Sequence, residues 1–190
     1  MKTKIVAATT NPGKLAEIRT IFHDCEIVSA ADVGFLDDVE ETGETFMENA
    51  LLKARTVCRA TGLPALSDDS GLCVDALNGE PGVYSARYSG QGPAANRALL
   101  LKNLQGQTNR AAHFHCAVAL VYPDGREYTA EGETHGTITT AEQGTNGFGY
   151  DCLFWSTELG KTFAMATPDE KNAVSHRGRA LENLRAAIKG

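Results

Sequence analysis

The sequence predicts an α/β fold: a single elongated domain over residues 1–190, with a mixed β-sheet flanked by helices in two lobes around a cleft. Three observations carry this. The first thirty residues give an apolar run, a loop, a helical pattern and a second apolar run, the strand–loop–helix–strand opening of α/β proteins. The middle of the chain holds a long amphipathic helical pattern, and residues 113–139 switch to the alternation of strands. A length of 190 residues suits one large domain, and no repeat, linker or low-complexity tract divides it.

Each element follows in order. Residues 4–8 form a buried strand that ends in the turn Thr9-Thr10-Asn11-Pro12-Gly13. Leu15, Ile18, Ile21 and Phe22 then recur at helical spacing over 14–23, and 26–30 is the next strand. A helix is predicted over 45–60, with Met47, Ala50, Leu51, Ala54, Val57 and Cys58 on one face and Gly62 closing it. Ala65-Leu66-Ser67 reads as a brief strand running into an acidic turn, Asp68-Asp69-Ser70-Gly71. Residues 79–92, rich in Gly, Ser and Tyr, lack periodicity and read as a long loop, and 93–105 is helical behind Pro93. A hairpin joins 114–122 to 126–131 through Pro123-Asp124-Gly125. The loop 144–149 leads into a strand at 150–155, and one helix over 169–189 ends the chain, with Gly178 as the point where it would bend.

Composition narrows the partners. Eighteen Lys+Arg against 24 Asp+Glu give a formal net charge of −6, which argues against a nucleic-acid polymer. A small anionic ligand held by a few lysines and a divalent ion stays open. No apolar run is long enough to span a bilayer, and the start, Met1-Lys2-Thr3-Lys4, lacks a signal-peptide core. Five cysteines, odd in number and without a Cys-x-x-Cys pair, suggest reduced thiols in the cytoplasm.

Several segments can carry chemistry. Thr9 to Lys14 lies between a strand and a helix, where free backbone N–H groups attract anions; it also suits a plain turn, and spacing alone does not separate the two. Asp68 and Asp69 repel one another unless a cation compensates, and Mg²⁺ is the natural one, although an Asp-rich turn has the same composition. Asn49 and Lys53 lie four apart beside the apolar stripe, where a solvated flank is the simpler reading. Phe148-Gly149-Tyr150-Asp151 sets aromatic rings beside a carboxylate, able to stack on a base and read its edge or simply to pack in the core. Lys171, Ser175, His176 and Arg177 fall in the last helix, where a solvated flank again suffices. His113 and His115 share a strand face, but no third ligand is spaced for zinc, and neither a nucleophile elbow nor a catalytic cysteine is present.

Taken in order, six segments resemble one family. They are Ala8–Lys14, Glu41-Thr42-Gly43 with Glu48-Asn49-Ala50 and Lys53-Ala54, Asp68–Leu72, Pro81–Tyr88, Gly147–Asp151 and Ser175–Gly178. Together they are similar to the inosine/xanthosine triphosphate pyrophosphatases over about positions 4 to 188. The resemblance implies Mg²⁺-dependent hydrolysis of ITP, dITP and XTP to the monophosphate and pyrophosphate by a cytoplasmic homodimer. It implies that Thr9, Thr10, Asn11, Pro12, Gly13, Lys14 and Lys53 hold the triphosphate, and that Asp69 is both proton acceptor and metal ligand. Glu41, rather than Glu40, becomes the second metal ligand and Asp68 a supporting carboxylate. Ser70 would touch substrate, Phe148, Gly149, Tyr150, Asp151 and Lys171 would enclose base and sugar, and His176 and Arg177 would complete base recognition. Thr10 stands where the family often has Gly, so the loop must accommodate a Cβ there. A related enzyme for pyrimidine or methylated nucleotides and a non-catalytic nucleotide sensor are the competing readings.

Overall fold

In order along the chain, the computed structural model, which describes residues 2–190, contains β1 (Lys4–Ala7), α1 (Pro12–Ile21), β2 (Glu26–Ser29), α2 (Phe46–Thr61), β3 (Ala65–Val74), α3 (Pro93–Asn103), β4 (Ala111–Val121), β5 (Glu127–Ile138), β6 (Phe154–Ser156), β7 (Lys161–Thr162), α4 (Pro168–Val174) and α5 (His176–Lys189). The strands form one seven-stranded mixed sheet in the order β2-β1-β3-β4-β5-β6-β7. β1 runs parallel to β2 and β3, with Ala7 opposite Ser29 and Leu66, whereas β6 is antiparallel to β5 and β7.

The chain divides into two compact units. The first comprises Met1–Asp69, Cys116–Gly132 and Arg177–Gly190. Its core packs Ile5 and Ala7 of β1 and Leu66 of β3 with Leu15 and Ile18 of α1 and Leu181 and Leu184 of α5. The second comprises Ser70–His115 and Glu133–His176. Its core gathers Leu72, Leu100, Phe114, Leu153, Phe154 and Phe163, with Phe114 stacked on Phe163 at 5.8 Å.

Local chemistry sets the helix ends. Asn11 caps α1, its side chain accepting from the Gly13 and Lys14 amides, with Pro12 in the first turn. Thr45 and Glu48 form a complete capping box on α2, and Gly62 ends that helix in the left-handed conformation at φ 68°. A cap of this kind contributes about 1 kcal/mol. Among the described residues Asn78 is the only non-glycine with positive φ, so Thr10 takes ordinary backbone angles and its Cβ adds no strain.

Four expectations need correction or refinement. The acidic segment 68–71 is not a turn: β3 continues to Val74, because strand pairing in a buried sheet outweighs the turn preference of Asp and Gly. Residues 79–92, read as a long loop, contain a 3₁₀ helix at Gly82–Arg87, where Ser85 accepts from the Leu72 amide and donates to the Gly82 carbonyl. Residues 150–153 form turns, and the strand that follows is only Phe154–Ser156. The last helix is two: α4, capped by a Thr167–Glu170 box, stops where Ser175 turns extended at ψ 147°, and Gly178 lies inside α5.

Candidate active site

The continuation of β3 organises the acidic pair, because neighbouring residues of a strand face opposite sides of the sheet. Ser67 and Asp69 face α2: the Ser67 hydroxyl donates to the Ala50 carbonyl, and Asn49 Nδ2 donates to Asp69 Oδ2 at 3.0 Å. Asp68 faces the other way. Lys14 Nζ lies 2.9 Å and Arg177 Nε 3.1 Å from its Oδ2, while Arg177 Nη1 reaches Glu17 at 3.5 Å.

The two carboxylates therefore titrate apart. Burial alone would raise Asp68, but the Lys14, Arg177 and Lys53 charges outweigh it and hold the carboxyl well below the usual range. Asp69 is pushed up to about 6, chiefly by burial and further by the Glu41 and Asp68 carboxylates, against the opposing pull of Lys53 and the Asn49 hydrogen bond. Adjacent carboxylates with separated titrations are how a site assigns one to charge and one to proton transfer.

Asn49 is wholly buried, contrary to the solvated flank the spacing suggested, and its amide has only one orientation. The Gly43 N–H donates to Asn49 Oδ1 at 2.7 Å, which forces Nδ2 toward Asp69. Gly43 is required here: a Cβ on it would come within 2.6 Å of that same Oδ1. One turn along α2, Lys53 Nζ bridges Glu41 Oε1 at 2.8 Å and the Asp68 carbonyl at 2.6 Å. Alternation along β3 and i,i+4 spacing on α2 thus bring Asn49, Lys53, Glu41 and Asp69 together.

A cavity of 350 Å³ within the first unit is lined by Thr9, Thr10, Lys14, Glu41, Lys53 and Asp68, with Phe35, Leu36 and Val39 on its apolar side. Its polar wall joins two ammonium groups, two hydroxyls and four carboxylates, those of Asp37, Asp38, Glu41 and Asp68, so a polyanion bound there needs an accompanying cation. Asn11 spends its side-chain oxygen on the Gly13 and Lys14 amides, and its own amide donates to Thr9 Oγ1, so the predicted loop is held in shape by its own hydrogen bonds. Asp69 and Glu41 offer hard oxygen donors, and the raised Asp69 carboxyl marks a place where a divalent ion would relieve repulsion; the residues fit such an ion.

The second unit holds another predicted group. Asp151 is buried and accepts from Lys171 Nζ at 2.7 Å and from the Phe148 amide at 3.0 Å. Gly147, at φ 71°, permits the turn, since a Cβ there would lie 2.2 Å from Asp151 Oδ2. The Phe148 ring stays 65% exposed with Lys171 Nζ 4.8 Å from its centroid, leaving an aromatic face open. Tyr150 instead turns into the core, its hydroxyl donating to the Ser85 carbonyl at 2.7 Å. His176 stacks on Phe114 at 5.0 Å, whereas its neighbour Arg177 belongs to the Asp68 group of the first unit. Ser70 opens the second unit's share of β3 and is half-buried.

One exclusion also falls. Glu133 on β5 supplies the third ligand that His113 and His115 lacked, all three ligand atoms lying within 4.8 Å of one another. Cross-strand register supplies it, a signal absent from spacing within β4.

The chain matches the model of the Ham1 family over residues 5–187. It is 51% identical over 189 residues to the dITP/XTP pyrophosphatase of Geobacter sulfurreducens, covering 96% of this chain and 95% of that one. It is 49% identical over 196 residues to the dITP/XTP pyrophosphatase of Haemophilus influenzae, covering 99% and 100%. Its fold is similar to the Ham1 protein of Staphylococcus aureus, with a TM-score of 0.92, 40% identity and 99% of each chain covered. A nucleoside-triphosphatase and dITP/XTP pyrophosphatase from Mycobacterium abscessus superposes with a TM-score of 0.82 at 49% identity, covering 96% of this chain and 98% of that one.

Proposed function

The chain belongs to the Ham1 family, and on that premise we propose that it hydrolyses deaminated purine nucleoside triphosphates, ITP, dITP and XTP, to the monophosphate and pyrophosphate with Mg²⁺. Its whole length acts as one pyrophosphatase domain, as a cytoplasmic homodimer; the homodimer and the location rest on the family resemblance alone. The observation that carries the reading is Asp69: a buried carboxyl with a pKa of about 6, aimed by Asn49 and placed among Glu41, Lys53 and Asp68.

In this reading the Thr9–Lys14 loop and Lys53 hold the phosphates, Lys14 and Lys53 offsetting charge on the phosphoryl oxygens. Asp69 accepts the proton of the attacking water, its carboxylate oriented by the Asn49 amide. Asp68 stays ionised and fixes Lys14 and Arg177 in place. Asp69 and Glu41 would hold Mg²⁺, which supplies charge neutralisation on the phosphates when bound.

Base selection falls to the other group. The open Phe148 face, with Lys171 beneath it, stacks on a purine, and His176 and backbone N–H groups donate to the 6-oxo oxygen that inosine and xanthine share. Adenine presents an amine there, leaving those donors unpaired, a mismatch that can reject by about 10⁴-fold. Product identification on dITP tests the reaction. dIMP with pyrophosphate is expected, and dIDP with orthophosphate would overturn the assignment.

A further inference from the structure

Strands β4 and β5 are neighbours in the sheet, and each places alternate residues on one face. His113 and His115 share that face on β4, as do Glu133 and His135 on β5. His115 Nδ1 lies 2.9 Å from Glu133 Oε1, His113 Nε2 lies 3.9 Å from the same oxygen, and His135 Nε2 lies 3.1 Å from Glu133 Oε2. All of these residues belong to the second unit, whereas Asp69 and Glu41 belong to the first.

From this geometry we infer that His113, His115 and Glu133 form a second metal site, which takes one borderline transition ion of the zinc class and is separate from the carboxylates that serve the phosphates. Ligands around tetrahedral zinc, at 2.0–2.2 Å from the ion, stand about 3.4 Å from one another. The 2.9 and 3.9 Å separations bracket that value, so small side-chain rotations complete the shell. A carboxylate only accepts, so without the ion His115 Nδ1 carries the proton of its contact with Glu133; on binding, that proton shifts to Nε2, the imidazole stays neutral, and the Nδ1 lone pair goes to the ion. His135 engages the second oxygen of Glu133 and turns the first toward the two imidazoles, the orienting contact that metal-binding carboxylates use.

The donor set decides the ion. Two imidazoles and one carboxylate suit zinc and its neighbours, whereas magnesium selects carboxylates, phosphates and water. Because the ligands come from two strands, the bound ion ties β4 to β5 and stabilises this unit by mass action. Solvent fills the remaining coordination position.

The test uses the full chain stripped with EDTA and titrated with Zn²⁺ in excess Mg²⁺, by calorimetry and by melting temperature. The wild type is expected to bind one Zn²⁺ that Mg²⁺ does not displace, with a rise in melting temperature. His113→Gln/His115→Gln is expected to weaken that binding by more than about tenfold, while its Mg²⁺-supported pyrophosphate release stays at the wild-type level. Asp69→Asn is expected to keep the Zn²⁺ site. Co²⁺ on the wild type gives a readout that needs no variant: an intense visible ligand-field band supports nitrogen-rich, low-coordinate ligation. Displacement by Mg²⁺, unchanged Zn²⁺ affinity in the double variant, or only the faint spectrum of octahedral Co²⁺ would each overturn the inference.

Discussion

Replacing Asp69 with Asn separates what this carboxyl does for turnover from what it does to stability. The group is 8% exposed, and its pKa is raised from the ordinary 3.8 to about 6. A folded state that binds the proton more tightly than the unfolded chain is favoured below pH 3.8 and loses that advantage as pH rises through 6. At about 1.4 kcal/mol per pH unit, the ionised carboxyl costs about 3 kcal/mol at pH 8 and about 1 kcal/mol at pH 4.5. Asn keeps an oxygen to accept from Asn49 Nδ2 but carries no charge. Asp69→Asn is therefore expected to be more stable than the wild type in EDTA, by about 3 kcal/mol at pH 8 and about 1 kcal/mol at pH 4.5, while losing pyrophosphate release. Urea denaturation at the two pH values measures the first, and turnover of dITP the second. A variant less stable than the wild type at pH 8, or a difference independent of pH, would refute the buried-charge argument. Near-normal turnover would refute the proton-acceptor role.

Three further outcomes follow from the same geometry. Asn49→Ala strips the Gly43 amide and Asp69 of a partner, and is expected to cost about 1–3 kcal/mol by urea denaturation and about a hundredfold in kcat. Phe148→Ala removes an exposed ring, so stability should change by less than about 0.5 kcal/mol, while KM for dITP rises roughly tenfold or more through lost stacking, as steady-state kinetics would show. Asp68 is held ionised in the fold, so its contribution to stability is present above about pH 4 and lost as pH falls below it. Asp68→Asn leaves Lys14 and Arg177 without their carboxylate and should cost about 3–5 kcal/mol at pH 7, with a flatter acid-unfolding profile.

Much of this was readable from residues near one another in sequence. Apolar spacing located α1 and α2, and Gly62 marked the end of α2. The order of motifs carried the family resemblance. What escaped depends on neighbours distant in the chain. Asp-Asp-Ser-Gly carries turn preferences, and only its place in β3, whose start pairs with β1 at Val6 and Ala7, holds it extended. That extension is what sends Asp68 toward Lys14 and Asp69 toward Asn49. Asn49 looked solvated because i,i+4 spacing fixes a helix face but not what covers it. Glu133 was invisible from His113 and His115 because strand register is set across the sheet. The break at Ser175 follows from its extended backbone, for which no glycine or proline gives warning.

The most direct test of the account is pyrophosphate release from dITP, XTP and dATP, each with Mg²⁺ and with EDTA. Fast release from dITP and XTP that EDTA abolishes is expected, with slow release from dATP, whose amine leaves the donors to the 6-oxo position unpaired. Equal rates on all three, or release that persists in EDTA, would contradict the account.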